Sequence, residues 1–319
     1  MPVGSDCLIS IVVPLFNEGD GVETLHESLL RTLKDIKIDS YEIIYCNDGS
    51  TDATAAIINS LASSDHHVKV ISLSRNFGKE IAITAGIHAA RGQAIITLDA
   101  DGQHPVELIP EFISRWKTGK KVVVGVRASN QGEGFVKRYG SRLFYKLFNR
   151  FTGITLLPGA TDFRLIDKRV QHDFNRLTER NRISRGLIDW LGYEQDFVYF
   201  TANARISGES TYSHKKLFKL AIDSVVSLSI SPLYISAYIG AFILPVSGLI
   251  GIGMLVNDIL SDPLHLNATG SAYVTILILF LIGVLLISQG IIGLYLSHIH
   301  AESLNRPLYI IDHDKSKGI

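Results

Sequence analysis

Two carboxylates one residue apart, Asp99 and Asp101, close the apolar run 93–98. A strand that ends this way can aim both at one hard cation, and Mg2+ or Mn2+ held so keeps open positions for phosphate oxygens. An isolated D-x-D is common in solvated loops, so its weight comes from its neighbours. Residues 13–18 read V-P-L-F-N-E, 47–52 read N-D-G-S-T-D, 75–79 read R-N-F-G-K and 99–105 read D-A-D-G-Q-H-P. Each closes an apolar run. Carboxylates such as Glu18 and Asp48 can accept from a nucleobase N–H or a ribose hydroxyl, while Arg75 and Lys79 can offset phosphate charge. Gly78-Lys79 lacks the earlier glycine of a P-loop and is followed by Glu80, which argues against that NTPase motif. His88, His104, His172 and His214 have no His or Cys at ligand spacing and read as non-ligands.

Strands are expected over 8–15, 41–46, 68–73, 93–98 and 121–126, and helices over 19–36, 52–62, 80–90 and 105–116, with Ser50 or Thr51 capping the second helix. Such alternation predicts an α/β, Rossmann-like, mostly parallel sheet with helices on both faces. In such sheets ligands bind beyond the carboxyl ends of the strands, where the four polar clusters fall. Further on, 135–151 looks helical and basic, and 161–166 and 195–202 look like strands.

The last third changes character. Residues 224–257 carry no charge, and about 230–256 and 272–297 are each long enough to cross ~30 Å of hydrocarbon. The link 257–271 contains no Lys or Arg, whereas Lys215, Lys216, Lys219, Arg306, Lys315 and Lys317 flank the pair. The positive-inside rule then places the catalytic domain and both termini in the cytoplasm. The reading is a domain over 1–212, an interfacial amphipathic helix over 213–229, a two-helix transmembrane region over 230–300 and a cytoplasmic tail over 301–319. The sequon at Asn267 lies on so short a link that it reads as chance. Gly248, Gly251, Gly253, Gly283, Gly290 and Gly293 allow close helix approach, which suits a homo-oligomer.

With 31 Lys+Arg against 31 Asp+Glu, the 319-residue chain has no net charge, which argues against a nucleic-acid partner. The segment 127–185 is locally basic and suits phosphates or anionic headgroups. Two cysteines, Cys7 and Cys46, make no disulfide framework, and residues 1–6 lead into a strand without a signal peptide.

Taken together, the four clusters make the sequence resemble the family-2 inverting glycosyltransferases of the GT-A fold. Within them it resembles the polyprenyl-phosphate sugar transferases, dolichol-phosphate-mannose-synthase-like and closest to the bacterial undecaprenyl-phosphate glucosyltransferases. The likeness runs over about 8–212, and the two apolar runs agree with membrane-anchored members. It implies that Pro14, Phe16, Asn17, Glu18 and Asp48 hold the nucleotide's base and ribose, with Lys79 near them. By the same resemblance Asp99 lies close to the donor sugar or ribose, and Asp101 with Gln103 helps hold Mg2+ or Mn2+ on the diphosphate. Arg127 and Arg205 face phosphate, and Arg127, Arg138 and Arg142 guide the lipid phosphate. Asp162, in T-D-F-R, matches the late acidic residue near the reacting carbon, as base or acceptor positioner. Departures are Asn47 for Asp, Gln93 for Asp and Gly102 for Leu or Met.

The implied reaction moves a hexose, glucose from UDP-glucose by overall resemblance, onto a polyprenyl phosphate. GDP-mannose is the alternative donor. A processive polysaccharide synthase would carry Q-x-x-R-W, where 184–190 read S-R-G-L-I-D-W. A non-catalytic membrane scaffold would not need an intact acidic motif.

Overall fold

A computed structural model describes residues 9–128, 159–180, 182–201 and 270–319. Short β-branched runs alternate with helix-forming segments: β1 (Ile9–Leu15), α1 (Gly19–Asp35), β2 (Tyr41–Asn47), α2 (Thr54–Ser64), β3 (Val68–Ser72), α3 (Lys79–Ala89), β4 (Ala94–Thr97), α4 (Ile109–Lys117) and β5 (Val122–Arg127). After these come β6 (Ala160–Asp167), α5 (Lys168–Phe174), α6 (Ser184–Trp190), β7 (Gln195–Phe200) and α7 (Gly270–Ser303). The strands form one sheet in the order β3-β2-β1-β4-β6-β5-β7. Among these seven strands every pairing is parallel except those of β6, which runs antiparallel to both β4 and β5. The mixed, mostly parallel α/β sheet expected from the alternation is present.

Both faces are covered. Val22, Leu25, Leu29 and Leu33 of α1 pack with Ile109, Phe112, Ile113 and Trp116 of α4 on one face. Ala82, Ile83, Ala85 and Ile87 of α3 cover the other with Phe174 of α5 and Leu187 of α6. The approach of α3 is close: a Cβ on Gly86 would lie 2.3 Å from Val12 Cγ1 and 2.7 Å from Cys46 Sγ.

Three features differ from the sequence-based expectations. Helix α2 starts at Thr54 rather than 52, because Asp52 Oδ1 accepts from Thr54 N at 3.0 Å while Ser50 and Thr51 serve the loop after β1. The short helices α5 and α6 were not anticipated; seven residues carry too little periodicity to reveal one. Finally, 306–319, expected as part of a tail, adds to the sheet's β3 edge. Ile311 pairs with Leu73 and Lys317 with Val70, and Asp312 N donates to Ser72 O at 2.8 Å. The described residues fall into two compact units, 9–201 with 306–319, and 270–305.

Helix α7 has 34 residues, and Glu302 is its only Asp, Glu, Lys or Arg. Its backbone covers the second apolar run and spans roughly 51 Å at 1.5 Å per residue. Counting only the described residues, no helix is long and apolar enough to cross a membrane. The first run, the amphipathic segment 213–229, the basic segment 135–151 and Asn267 lie outside the described residues.

A polar lock closes the amino edge of the sheet. Glu42, buried on β2, accepts from Ser10 Oγ at 2.5 Å, from Arg91 N at 2.6 Å and from Lys69 Nζ, and Ser10 Oγ accepts from Gly92 N at 2.8 Å. Burial pushes the Glu42 carboxyl up, but the bonds from Lys69, Ser10 and Arg91 outweigh it and the net shift is downward. Glu42→Ala leaves a buried amine and N–H without their acceptor and is expected to cost about 3–5 kcal/mol, read as a lower thermal midpoint. A depressed carboxyl stabilises the fold above its unfolded pKa of about 4.3. The advantage over Glu42→Gln is therefore complete at pH 7 and shrinks as pH falls below about 4 through the folded value. An advantage unchanged between pH 7 and pH 3 would refute the ionic reading.

Candidate active site

The carboxyl ends of β1, β2, β3 and β4 deliver the four polar clusters to one edge. The first two clasp each other. Asn17, at φ 56°, accepts from Thr51 N on Oδ1 at 2.9 Å and donates its own N–H to Ser50 Oγ at 3.0 Å. Glu18 N donates to Thr54 Oγ1 and Gly19 N to Asp52 Oδ2. Phe16 remains 45% exposed beside them, an apolar ring open to the crevice. Pro14 lies within β1, whose residues are all buried.

Asp48, expected to hold the nucleotide, is also tied to the backbone. Its two oxygens accept from Phe77 N at 2.7 Å and Gly78 N at 2.8 Å, so it pins the loop after β3. Burial raises its pKa, against the pull of those two N–H groups and Arg75. Gly49 makes this fit possible. It sits at φ 72°, and a Cβ there would lie 2.7 Å from Arg75 C and Asn76 N.

The pinned loop leads straight into Lys79, the first residue of α3. Lys79 joins two carboxylates from different strands. Its Nζ lies 2.6 Å from Asp99 Oδ1 and 2.8 Å from Asp162 Oδ2. Asp162 arrives here because β6 is antiparallel, so its amino end meets the carboxyl ends of its neighbours. Thr97 Oγ1 donates to Asp162 O at 2.5 Å and fixes the register. Enclosure of the ammonium opposes its charge, but Asp162 and Asp99 outweigh this and hold the Lys79 pKa above the ordinary lysine value. Burial likewise pushes Asp162 up, but Lys79, Arg185 and Arg164 override it, and the carboxyl stays well below the usual range.

The metal motif follows β4. Asp101 Oδ1 accepts from Gln103 N at 3.1 Å, and Gln103 Oε1 accepts from Arg127 Nη2 at 2.8 Å. Asp99 Oδ1 and Arg127 Nε are buried without a hydrogen-bond partner, although Lys79's charge faces the former. Oxygen donors from Asp99, Asp101 and Gln103 suit a hard divalent cation. The cluster Asp65, His66 and His67 also has ligand spacing, but it forms the turn before β3, at the opposite edge.

Several residues at this edge escaped the sequence reading. His104, dismissed as a ligand, accepts from Asp99 N on Nδ1 at 3.0 Å and stacks on Phe163 with centroids 5.3 Å apart. Burial lowers its pKa, which keeps that acceptor nitrogen unprotonated. Glu80 accepts from Ser184 N at 2.8 Å, and burial with Asp162 nearby raises its pKa. Arg164 is 2% exposed, bonded to Asp189 Oδ1 at 2.7 Å and to Thr161 O at 3.0 Å. A histidine one residue past the metal motif and a glutamate opening an otherwise apolar helix were the available signals. Arg138, Arg142 and Arg205 lie outside the described residues.

The family model described as glycosyl transferase family 2 matches residues 10–174. A glycosyltransferase of Synechocystis sp. is 41% identical over 95% of this chain and 94% of its own length. The bactoprenol glucosyl transferase of Shigella phage SfV is 38% identical over 97% of this chain and 99% of its own. Among solved structures, glucosyl-3-phosphoglycerate synthase from Mycobacterium tuberculosis, in complex with Mn2+, UDP-glucose and phosphoglyceric acid, covers 70% of this chain and 78% of its own. It matches at 20% identity with a TM-score of 0.48, an overlap too loose to argue from.

His104 makes this geometry testable. His104→Phe keeps the ring stack and removes the acceptor for Asp99 N, and should cost about 1–3 kcal/mol in thermal unfolding while weakening Mn2+ binding. His104→Asn offers an acceptor again and should recover part of the Mn2+ affinity. Equal Mn2+ affinity in wild type and His104→Phe would remove His104 from the support of the motif.

Proposed function

Since this chain belongs to glycosyl transferase family 2, we propose that it transfers glucose from UDP-glucose to a polyprenyl phosphate with inversion at the anomeric carbon. The observation that carries this reading is the meeting of Asp99 and Asp162 on one lysine. It joins the carboxylate of the metal motif to a carboxylate on the neighbouring strand, with Asp101, Gln103 and Arg127 alongside. The full-length similarity to bactoprenol glucosyl transferases supports the acceptor and the sugar.

A phosphate oxygen of the acceptor forms the new bond to the anomeric carbon. The bond from that carbon to the diphosphate breaks, and its electron pair leaves with the nucleoside diphosphate. The acceptor is already ionised near pH 7, so no proton need be removed. Asp99, Asp101 and Gln103 would hold Mg2+ or Mn2+, which supplies positive charge for the departing diphosphate. Arg127 adds charge on the same side, Phe16 offers a face to the nucleobase, and Asp162 serves as base or acceptor positioner.

The same reading places the chain in a membrane, with the catalytic unit and both termini cytoplasmic. The apolar runs 230–256 and 272–297 would supply two spans on the strength of sequence alone, and the lysines and Arg306 flanking them would set the orientation. Self-association through the glycine-bearing spans belongs to this proposal.

The test is transfer of radiolabelled glucose from UDP-glucose to chloroform-soluble lipid by the full chain in detergent, with and without divalent cation. Asp101→Ala and chelator should each abolish the product; full activity in either would refute the metal role. Asp162→Asn should lose roughly a hundredfold or more in turnover with nucleotide affinity nearly kept. Competition by unlabelled GDP-mannose reports the alternative donor. Alkaline carbonate should leave the full chain in the membrane pellet, and its release would overturn the spanning reading.

A further inference from the structure

We propose that Lys79 is the residue that receives the acceptor's phosphate, and that Asp162 acts by holding Lys79 in place rather than by taking a proton. The inference rests on the polyprenyl-phosphate reading above and assigns the roles within it.

The argument begins with hydrogen-bond capacity. An ammonium has three N–H donors and no acceptor. At Lys79 one is bonded to Asp162 Oδ2 and a second side faces Asp99 Oδ1. The third has no partner among the described residues. About 40% of this side chain is exposed, whereas Asp99 and Asp162 are exposed at only 24% and 16%. The remaining N–H thus belongs to the most accessible group of the three.

The other described cations next to Asp162 and the metal motif are less accessible than Lys79. Arg164 bonds Asp189 and the Thr161 carbonyl, and its one unpartnered nitrogen, Nη2, is buried away from any entering phosphate. Arg127 donates to Gln103 on the metal-motif side. Arg185 acts on Asp162 by charge. A phosphate dianion entering beside Asp99 and Asp162 would meet two like charges, each repelling it strongly at low local dielectric. Lys79 touches both carboxylates and is more exposed than either, and its charge makes that approach feasible.

The carboxylates also set the ammonium's position. A lysine side chain has four rotatable bonds and little preference among its rotamers. Contacts from β4 and β6 fix Nζ at the corner where donor and acceptor sides meet. The reaction consumes no proton, since the phosphate oxygen forms the bond to carbon and the diphosphate leaves with the electron pair. Asp162 has no proton to collect, so its geometric contribution is to hold Lys79.

A double-mutant cycle on the full chain tests this, with UDP-glucose, Mn2+ and an undecaprenyl phosphate in detergent. Lys79→Met should raise the acceptor KM and cut kcat/KM for the lipid by roughly a hundredfold. Affinity for UDP with Mn2+ should stay within about threefold of wild type, which also reports a folded site. Lys79→Arg, which keeps the charge, should recover part of the loss. The double variant Lys79→Met with Asp162→Asn should be within about threefold of the worse single variant, because both changes remove one unit. Losses that multiply would make Asp162 act independently of Lys79 and overturn the positioning role. An unchanged acceptor KM in Lys79→Met, with nucleotide affinity lost instead, would return Lys79 to the donor side. If wild type transfers to undecaprenyl phosphate and only these results fail, the Lys79 assignment falls alone. If wild type neither transfers to that lipid nor retains it, the acceptor reading itself falls.

Discussion

An ammonium shared by two carboxylates is the contact around which the carboxyl edge of this sheet is arranged. Lys79 could not reach both Asp99 and Asp162 if α3 began one residue earlier or later, since its side chain would then leave the helix about 100° away. The start of α3 is fixed from behind by Asp48, whose oxygens take the N–H groups of Phe77 and Gly78. Asp48 is in turn held at the end of β2, where Asp48 N donates to Leu15 O of β1 at 2.8 Å. A carboxylate that touches no part of the reacting corner therefore decides where its lysine stands.

The second requirement is topological. In an all-parallel sheet every strand would present its carboxyl end to the crevice, and Asp162, near the start of its strand, would lie at the far edge. Reversing β6 between β4 and β5 brings residues 160–162 to the reactive edge. It also places Phe163 inward, against His104 and Phe112, so the ring stack beneath the metal motif and the carboxylate beside it come from consecutive residues. Packing and chemistry are thus coupled at β6.

Much of this was legible in the sequence. The hydrophobic period gave β1 to β5 and α1 to α4 to within a few residues, because each is long enough to bury a face. Strand direction was not legible, since nothing in T-D-F-R-L-I-D distinguishes a parallel from an antiparallel partner. The return of 306–319 to β3 was hidden for a similar reason: it rests on two isolated bridges and a few backbone bonds. At the site, residue types announced where the polar edge would be but not who would pair with whom. Asp48 was read as a nucleotide contact and Lys79 as its neighbour able to offset phosphate charge; neither residue type announced the two backbone donors on Asp48 or the two carboxylates on Lys79. His104 was read only as a poor metal ligand, because its spacing says nothing of the Asp99 N–H that it accepts.

The two edges of the sheet show what separates a structural polar cluster from a reactive one. At the amino edge, Glu42 has donors from Ser10, Lys69 and Arg91, and Ser10 is itself bonded to Gly92. Such a network can be buried at little net cost because its members satisfy one another. The carboxyl edge is left incomplete. Arg127 Nε is buried without a hydrogen-bond partner, Phe16 presents an open ring, and Lys79 keeps a donor in reserve. Each unmatched group is a cost to the fold that a bound molecule can remove. Negative oxygens call for a cation, and the spare donors on Lys79 and Arg127 call for phosphate, which is the composition of a metal–nucleotide and an anionic acceptor meeting at one place.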